Sequence, residues 1–327
     1  MVFPIPNLLL QALVPTLLFA HPSTQQNHTS QPSCPTCHEN ATSFLPQLPL
    51  NTWDSHMHIL DPIRFPYDPS ASYTTGVHSL WSAIDFETSV GMSHIVLVQP
   101  SLYAENNTFL FLHLRALGPH RARAVVQFPL DTKQEVLREW HELGVRGVRL
   151  NLLDSAKNMS DAVLARLVQG YADAVRPLGW VLQIYIDMER IGDIEETLLG
   201  LNVTLCFDHF GHPELPSLEQ GQEGMFDVYL VPGFGSLIKL MKQGRTWVKF
   251  SAAYRVDPKM VALNNVAREI LRLRTDRMVF ATDWPHTRFE DYDVRPFVKR
   301  CLEWAEEFNC VEQMFSGNAR TLWDVKE

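Results

Sequence analysis

From residue 51 onward, short apolar runs rich in Val, Ile and Phe alternate with longer segments in which apolar residues recur every three or four positions. The short runs read as strands and the longer ones as amphipathic helices. Eight runs stand out, at 52–59, 94–100, 122–128, 145–152, 180–187, 203–210, 247–254 and 278–284. The clearest helical segment is 160–178, where Ala162, Leu164, Leu167, Tyr171, Ala174 and Val175 fall on one face. Others are expected at 79–90, 108–117, 132–143, 233–242, 259–273 and 291–308. Strands that alternate with helices build a parallel sheet. Eight such units in roughly 270 residues have the size of a closed (β/α)8 TIM barrel. An open doubly wound sheet has fewer strands and begins on a glycine-rich turn, and no G-x-G-x-x-G follows the first run. The expected fold is therefore α/β, a TIM barrel over 51–327.

The residues ahead of the barrel read differently. Positions 5–20 are apolar but interrupted by Pro6, Asn7, Gln11 and Pro15, too short and broken for a stable membrane span. They suit the apolar core of a signal peptide over 1–20, although no Lys or Arg precedes them. Secretion or residence in the secretory pathway is the expectation, with a cytoplasmic location the alternative if this segment is not a working signal. Sequons at Asn27, Asn40, Asn106, Asn158 and Asn202 would then be glycosylation acceptors. Residues 21–50, rich in Pro, Ser, Thr, Asn and Gln, are expected to form a flexible linker. Within it Cys34 and Cys37 form the one close cysteine pair, read as a small-loop disulfide or as incidental; no second ligand pair makes it a zinc site.

Composition narrows the function classes. With 46% hydrophobic and 20% charged residues in 327, most of the chain is folded. A formal charge of −9 without a cluster of Lys and Arg excludes a nucleic-acid surface. The partner expected is a small molecule, and oligomeric state is left open.

A barrel of this kind carries its chemistry at the carboxyl ends of the strands. Polar residues collect there: Asp54, His56 and His58 in the first run, Gln99 and Ser101 after the second, Arg149 and Asn151 in the fourth. Gln183 and Tyr185 end the fifth, Asp208 and His209 the sixth, Lys249, Ser251, Tyr254 and Arg255 the seventh, and Asp283 and His286 the eighth. Residues two apart on a strand share a side, so His56 and His58 face one direction, which on an inner barrel strand is the lumen. A lone H-x-H could equally be two hydrogen-bonded core histidines. With His209 and Asp283 also at strand ends, four groups could meet at one point, a nitrogen and carboxylate set suited to Zn²⁺ or a similar ion.

At these residues the chain resembles the amidohydrolase superfamily, and within it the amidohydrolase-2 branch that includes lactonases of the 2-pyrone-4,6-dicarboxylate, sulfomuconolactone and fucono-lactone types. The pieces that carry the resemblance run in order: DSHMHI at 54–59, FPY at 65–67, VQPSLY at 98–103, GVRGVRLN at 144–151 and QIY at 183–185. FDHFG at 207–211, VKFSAAYR at 248–255, ATDWPH at 281–286 and GNARTLW at 317–323 complete them. The chain departs from the pattern at Ala104 and Asn106, where relatives carry Gly and Asp. It departs again at Ala71 and Ser72, where pyrone-dicarboxylate hydrolases have an arginine that helps bind a carboxylate. Substrate identity does not carry over.

The resemblance implies a hydrolase that opens a lactone or related cyclic ester of a small organic acid. Asp283 would activate water and return the proton to the leaving oxygen. His56, His58 and His209 would polarise the carbonyl directly, or hold with Asp283 one divalent ion, Zn²⁺ by preference, that does so. Both versions occur in the branch, and the fourth run, ending in Arg149 and Asn151, offers no lysine to bridge two metals. Arg149 and Arg255 are candidates to bind a substrate carboxylate, or else to pair with a structural Asp. Tyr185, Tyr254 and Ser101 are candidate substrate contacts, Lys249 a candidate participant or ion-pair member, Trp284 a pocket wall or underlying packing, and His286 a support for Asp283. The alternatives are a metal-dependent non-oxidative decarboxylase of an aromatic acid, a C–N hydrolase, or a barrel that only binds a ligand; the last predicts a broken site, yet all four central groups are present.

Overall fold

The computed structural model describes residues 45–325 apart from Glu223 and Met225. The segment expected to be a signal peptide, the sequons Asn27 and Asn40, and the pair Cys34 and Cys37 lie outside the described residues. Leu45 and Leu48 pack against the core from a short 3-10 turn, ahead of position 51, where the pattern places the start of the domain. Among the described residues, no helix is long and apolar enough to cross a membrane.

Eight parallel strands follow one another around a single sheet. They are β1 (Trp53–Met57), β2 (His94–Val98), β3 (Ala122–Val126), β4 (Val145–Asn151), β5 (Val181–Tyr185), β6 (Thr204–Phe207), β7 (Thr246–Phe250) and β8 (Met278–Phe280). Each falls inside or within one residue of an apolar run read from the sequence. Residues just beyond β8 complete the barrel: Met57 pairs in parallel with Trp284, Asp283 N–H donates to His56 O at 2.9 Å, and His58 N–H donates to Trp284 O at 2.8 Å. The fold is a (β/α)8 TIM barrel.

The helices of the outer layer are α1 (Leu80–Ser89), α2 (Thr108–Leu117), α3 (Gln134–Leu143), α4 (Asp161–Val175), α5 (Met188–Asp193), α6 (Glu195–Gly200), α7 (Phe234–Lys242), α8 (Ala253–Val256), α9 (Val261–Leu273), α10 (Arg295–Glu307) and α11 (Asn318–Leu322). The expected helices are present, with α1 capped by Ser79, whose side chain accepts from Ser82 N–H. Periodicity missed α5, α6, α8 and α11, each at most six residues long, because so short a helix presents too few turns to show a 3.6-residue repeat. Gly233 lets α7 start against α5: its φ is +80°, and a Cβ there would lie 1.9 Å from Met188 O.

Alternation along each strand sorts residues between the helix layer and the barrel interior. Ile95, Leu97, Leu182, Ile184, Val248 and Phe250 join the large core beneath the helices. Trp53, Val96, Val125, Val181, Cys206, Trp247 and Val279 form a second cluster inside, floored by Ala319, Leu322 and Trp323 from the C-terminal segment. One step higher, the inward positions turn polar: Gln183 above Val181, Asp208 above Cys206, Lys249 above Trp247. On β1 the alternation breaks. Asp54 pairs with Ile95 and Met57 with Leu97, three residues advancing against two, so the strand carries a bulge between them. Trp53 lies inside below the bulge and Met57 joins the helix-side core above it. The bulge turns His56 inward, where strict alternation from Trp53 would have turned it out.

Candidate active site

The imidazoles of His56, His58 and His209 gather around one carboxylate oxygen. Their Nε2 atoms lie 3.6, 3.9 and 4.0 Å from Asp283 Oδ1, and the Nε2 atoms of His56 and His58 are 3.2 Å apart. The other oxygen of Asp283 is occupied: Tyr254 Oη donates to Oδ2 at 2.6 Å and Arg255 Nε at 2.9 Å. Oδ1 is therefore the oxygen turned toward the histidines.

Each ring is fixed from behind. His58 Nδ1 is 2.8 Å from Val98 O, a carbonyl that only accepts, so the proton sits on Nδ1 and the Nε2 lone pair points into the site. His209 Nδ1 is 2.8 Å from Ser251 Oγ. His56 Nδ1 lies 3.3 Å from both Asp208 Oδ1 and Lys249 Nζ. Asp208 is the hub of this lower tier: its Oδ2 accepts from Arg149 Nε at 3.1 Å and Gln183 Nε2 at 3.0 Å, and Lys249 Nζ is 3.5 Å from its Oδ1. Lys249 also donates to Gln183 Oε1 at 2.7 Å and stands 5.3 Å above the Trp323 ring. Beside β1, Asp54 accepts from the backbone N–H groups of His56 and Thr282 and from the Thr282 hydroxyl, tying the two strands that carry His56 and Asp283.

The backbone at this end is held away from its relaxed conformations. His209 (φ 51°), Phe210 (59°), Ala252 (50°), Asp283 (63°) and His286 (58°) all have left-handed φ without being glycine, where β6, β7 and β8 end. Such residues cost about 1–3 kcal/mol each and persist where surrounding contacts fix them, as clusters at functional sites do.

Burial and charge set the protonation states. Burial would raise Asp283, but Arg255 and the three histidines outweigh it and hold the carboxyl well below its usual range. Asp208 is held low in the same way by His56, Lys249 and Arg149. Burial pushes His58 down to about 4 and His209 to about 3, with His56 also well below its ordinary value, so the rings are neutral at pH 7. Neutral imidazoles with Nε2 turned inward beside an ionised carboxylate are the donor set that binds a divalent cation. The candidate ligand atoms of His56, His58 and Asp283 lie within 4.8 Å of one another.

A small cavity of about 70 Å³ opens above Asp283. Of the substrate contacts expected from the sequence, Ser101, Arg149, Tyr185 and Arg255 line it together with His58 and His209. Both arginines are also ion-paired, Arg149 with Asp208 and Arg255 with Asp283, so the two readings offered for them are joint rather than exclusive. Tyr254 is not among the lining residues; its hydroxyl is committed to Asp283. Trp284 packs beneath the site against His78 and Phe86. His286 stacks edge-on against Tyr254 and donates its backbone N–H to Asp283 O at 2.9 Å. Sequence reasoning missed Asp208 as a hub, Asn151 as a wall, and the rim residues Tyr73, Thr287 and Arg288. Asp208 had a visible signal, its place beside His209; the rim residues sit in loops without period or motif.

The family model for amidohydrolases matches residues 53–325, and the chain belongs to that family of hydrolases. A 4-sulfomuconolactone hydrolase of Hydrogenophaga intermedia is 26% identical over 275 residues, 81% of this chain and 84% of that protein. A 2-pyrone-4,6-dicarboxylate hydrolase of Comamonas testosteroni is 26% identical over 261 residues, 75% of this chain and 80% of that one. Among solved structures, a putative 2-pyrone-4,6-dicarboxylic acid hydrolase of Pseudomonas putida superimposes with a TM-score of 0.67 at 27% identity, covering 86% of this chain and all of the other.

Proposed function

We propose that the protein hydrolyses a lactone or related cyclic ester of a small organic acid. The observation that carries this reading is the division of labour on Asp283: Oδ2 is fixed by Tyr254 and Arg255 while Oδ1 faces three neutral imidazoles at the cavity floor. The names of the two relatives, both hydrolases of a lactone or pyrone, support it.

In this mechanism a water between the cavity and Asp283 Oδ1 attacks the ring carbonyl and its proton passes to Oδ1. The tetrahedral intermediate collapses with cleavage of the ring C–O bond, and the same proton goes to the leaving oxygen. The low pKa of Asp283 keeps its carboxylate ionised and Oδ1 able to accept the proton. The Nε2 atoms of His56, His58 and His209 with Asp283 would hold one divalent ion, which when bound supplies Lewis-acid polarisation of the carbonyl. Arg149, Tyr185 and Ser101 line the walls that orient the acid group of the substrate.

The test is a screen of lactones and aromatic acids with wild-type protein and Asp283→Asn. Lactone opening by the wild type and a fall in kcat of about 10³-fold or more in the variant are expected. Release of CO2 from an aromatic acid, or undiminished turnover in Asp283→Asn, would overturn the assignment.

A further inference from the structure

Arg123 and Trp323 are buried in the floor of the barrel and take no part in the chemistry described above. Arg123, on β3, places a guanidinium in an apolar neighbourhood, which opposes folding unless its donors find acceptors. The C-terminal segment supplies them. Arg123 Nε donates to Trp323 O and Nη2 to Asp324 O, both at 3.2 Å, while Nη1 donates to Ala122 O at 2.9 Å and to Pro119 O. From β4, Arg146 Nε adds an ion pair to Asp324 Oδ2 at 3.2 Å. Two arginines thus clamp the segment that carries Trp323.

The clamp gives the indole one orientation. Its Nε1 donates at 3.1 Å to Ser55 Oγ, between Asp54 and His56 on β1, and its backbone N–H donates to Ala319 O at 2.9 Å. The face of the ring is left for Lys249, whose Nζ stands 5.3 Å from the ring centroid. Lys249 is fully buried, and of its polar partners only Gln183 Oε1 is close, at 2.7 Å. His56 Nδ1 and Asp208 Oδ1 are farther, at 3.3 and 3.5 Å. A point charge on a flexible four-carbon stem has no planar fork to fix its direction. Gln183 holds it from one side, and the negative face of the ring attracts it from below, more strongly where water is excluded. Without the ring, the ammonium is free to sink away from His56 and Asp208.

We propose that Trp323 is a positioning residue: the clamped C-terminal segment carries an aromatic face that fixes the Lys249 ammonium against Asp208 and His56. The kinetic consequence rests on the lactone-opening reading; the placing of Lys249 does not.

Fluorinated tryptophans incorporated at position 323 of the full chain test this without emptying the floor, because each fluorine withdraws electron density from the ring face and leaves the indole N–H in place. Across mono-, di- and trifluoro rings, kcat per folded molecule is expected to fall stepwise, by about threefold or more in all, with KM within about twofold. In Lys249→Met the series should be level, since no cation remains to respond, whereas an effect through packing or through Ser55 would persist. Trp323→Leu should lower kcat about fivefold or more, and Trp323→Phe, which keeps an aromatic face, should recover most of it. A level series in the wild type, or an equal fall in Lys249→Met, would reduce Trp323 to packing and overturn the proposal. A second measurement needs no turnover: the nitrogen resonance of the Lys249 ammonium, identified by its loss in Lys249→Met, should shift in Trp323→Leu and be largely restored in Trp323→Phe. A resonance indifferent to Trp323 would also overturn the proposal. Failure of the lactone reading looks different, since the resonance would respond to Trp323 while no lactone is opened.

Discussion

The lower and upper halves of the barrel interior are built on the same eight strands and behave as two different media. Below, Trp53, Val125, Val181, Trp247 and Val279 pack on one another and on Trp323, whose carbonyl accepts from buried Arg123 Nε at 3.2 Å. Two residues further along the same strands stand Gln183, Asp208 and Lys249, with His56 among them, all buried. The lower half gains from every apolar surface removed from water. The upper half buries charges whose desolvation opposes folding and whose mutual pairing offsets it. Stability is concentrated in one half and chemistry in the other, and the apolar floor excludes water from beneath the charged tier, which strengthens its electrostatics.

The largest expected effect separates the two halves by turnover per folded molecule. Trp53→Ala should lower the unfolding free energy by about 3–5 kcal/mol while kcat per folded molecule stays within about threefold. Lys249→Met should cost about 3–5 kcal/mol as well, because Asp208 stays buried with one of its cations gone, but it should also lower kcat per folded molecule about tenfold or more, because Asp208 and His56 lose the cation between them. Denaturant titration and steady-state kinetics on the two variants check this. If Lys249→Met leaves kcat per folded molecule unchanged, or Trp53→Ala lowers it about tenfold, the division fails.

A cation should act on the upper tier alone. Zinc at a hundredfold excess over its dissociation constant should raise stability by about 2.7 kcal/mol in the wild type. The increment should vanish in His58→Ala. Thermal scans with and without zinc measure it, and an unchanged midpoint in the wild type would leave carbonyl polarisation to the imidazoles themselves.

Proton binding should also discriminate. His58, His209 and His286 sit at about 4, 3 and 4 when folded, against 6.5 unfolded, chiefly through burial. The unfolded chain then takes up more protons below pH 6.5, so the stability these rings contribute is complete above that pH and is lost as pH falls toward 4. The thermal midpoint should decline steadily over that interval. A flat profile would mean that the upper tier is wetter than its burial indicates.

The smallest effect expected is that of Tyr254→Phe. Removing the hydroxyl takes one hydrogen bond from ionised Asp283, so its pKa rises and the acid limb of kcat/KM moves to higher pH, with kcat lowered by about tenfold or less. An acid limb that stays in place would mean the limb belongs to another group.

Much of this molecule was legible before folding. The order and number of strands followed from apolar runs, because a buried parallel strand needs both faces covered and so leaves a continuous signature. The four central groups were legible as polar residues at the ends of those runs, which is where a parallel barrel opens. Alternation also said that His56 and His58 share a side. Their place on a barrel strand pointed that side at the lumen; what alternation alone does not show is that the inward turn of His56 comes from the bulge between Asp54 and Met57. Only the tertiary structure could assign Arg149 to Asp208, Tyr254 and Arg255 to Asp283, and Arg288 to Tyr73. Those partners lie between 28 and 215 positions apart in the chain, and no local period or motif relates them. The sequence by itself determined which chemical groups stand at the mouth of the barrel. Closure of the sheet, which brings distant loops within hydrogen-bonding distance, decided which of those groups are spent on each other and which remain for a ligand.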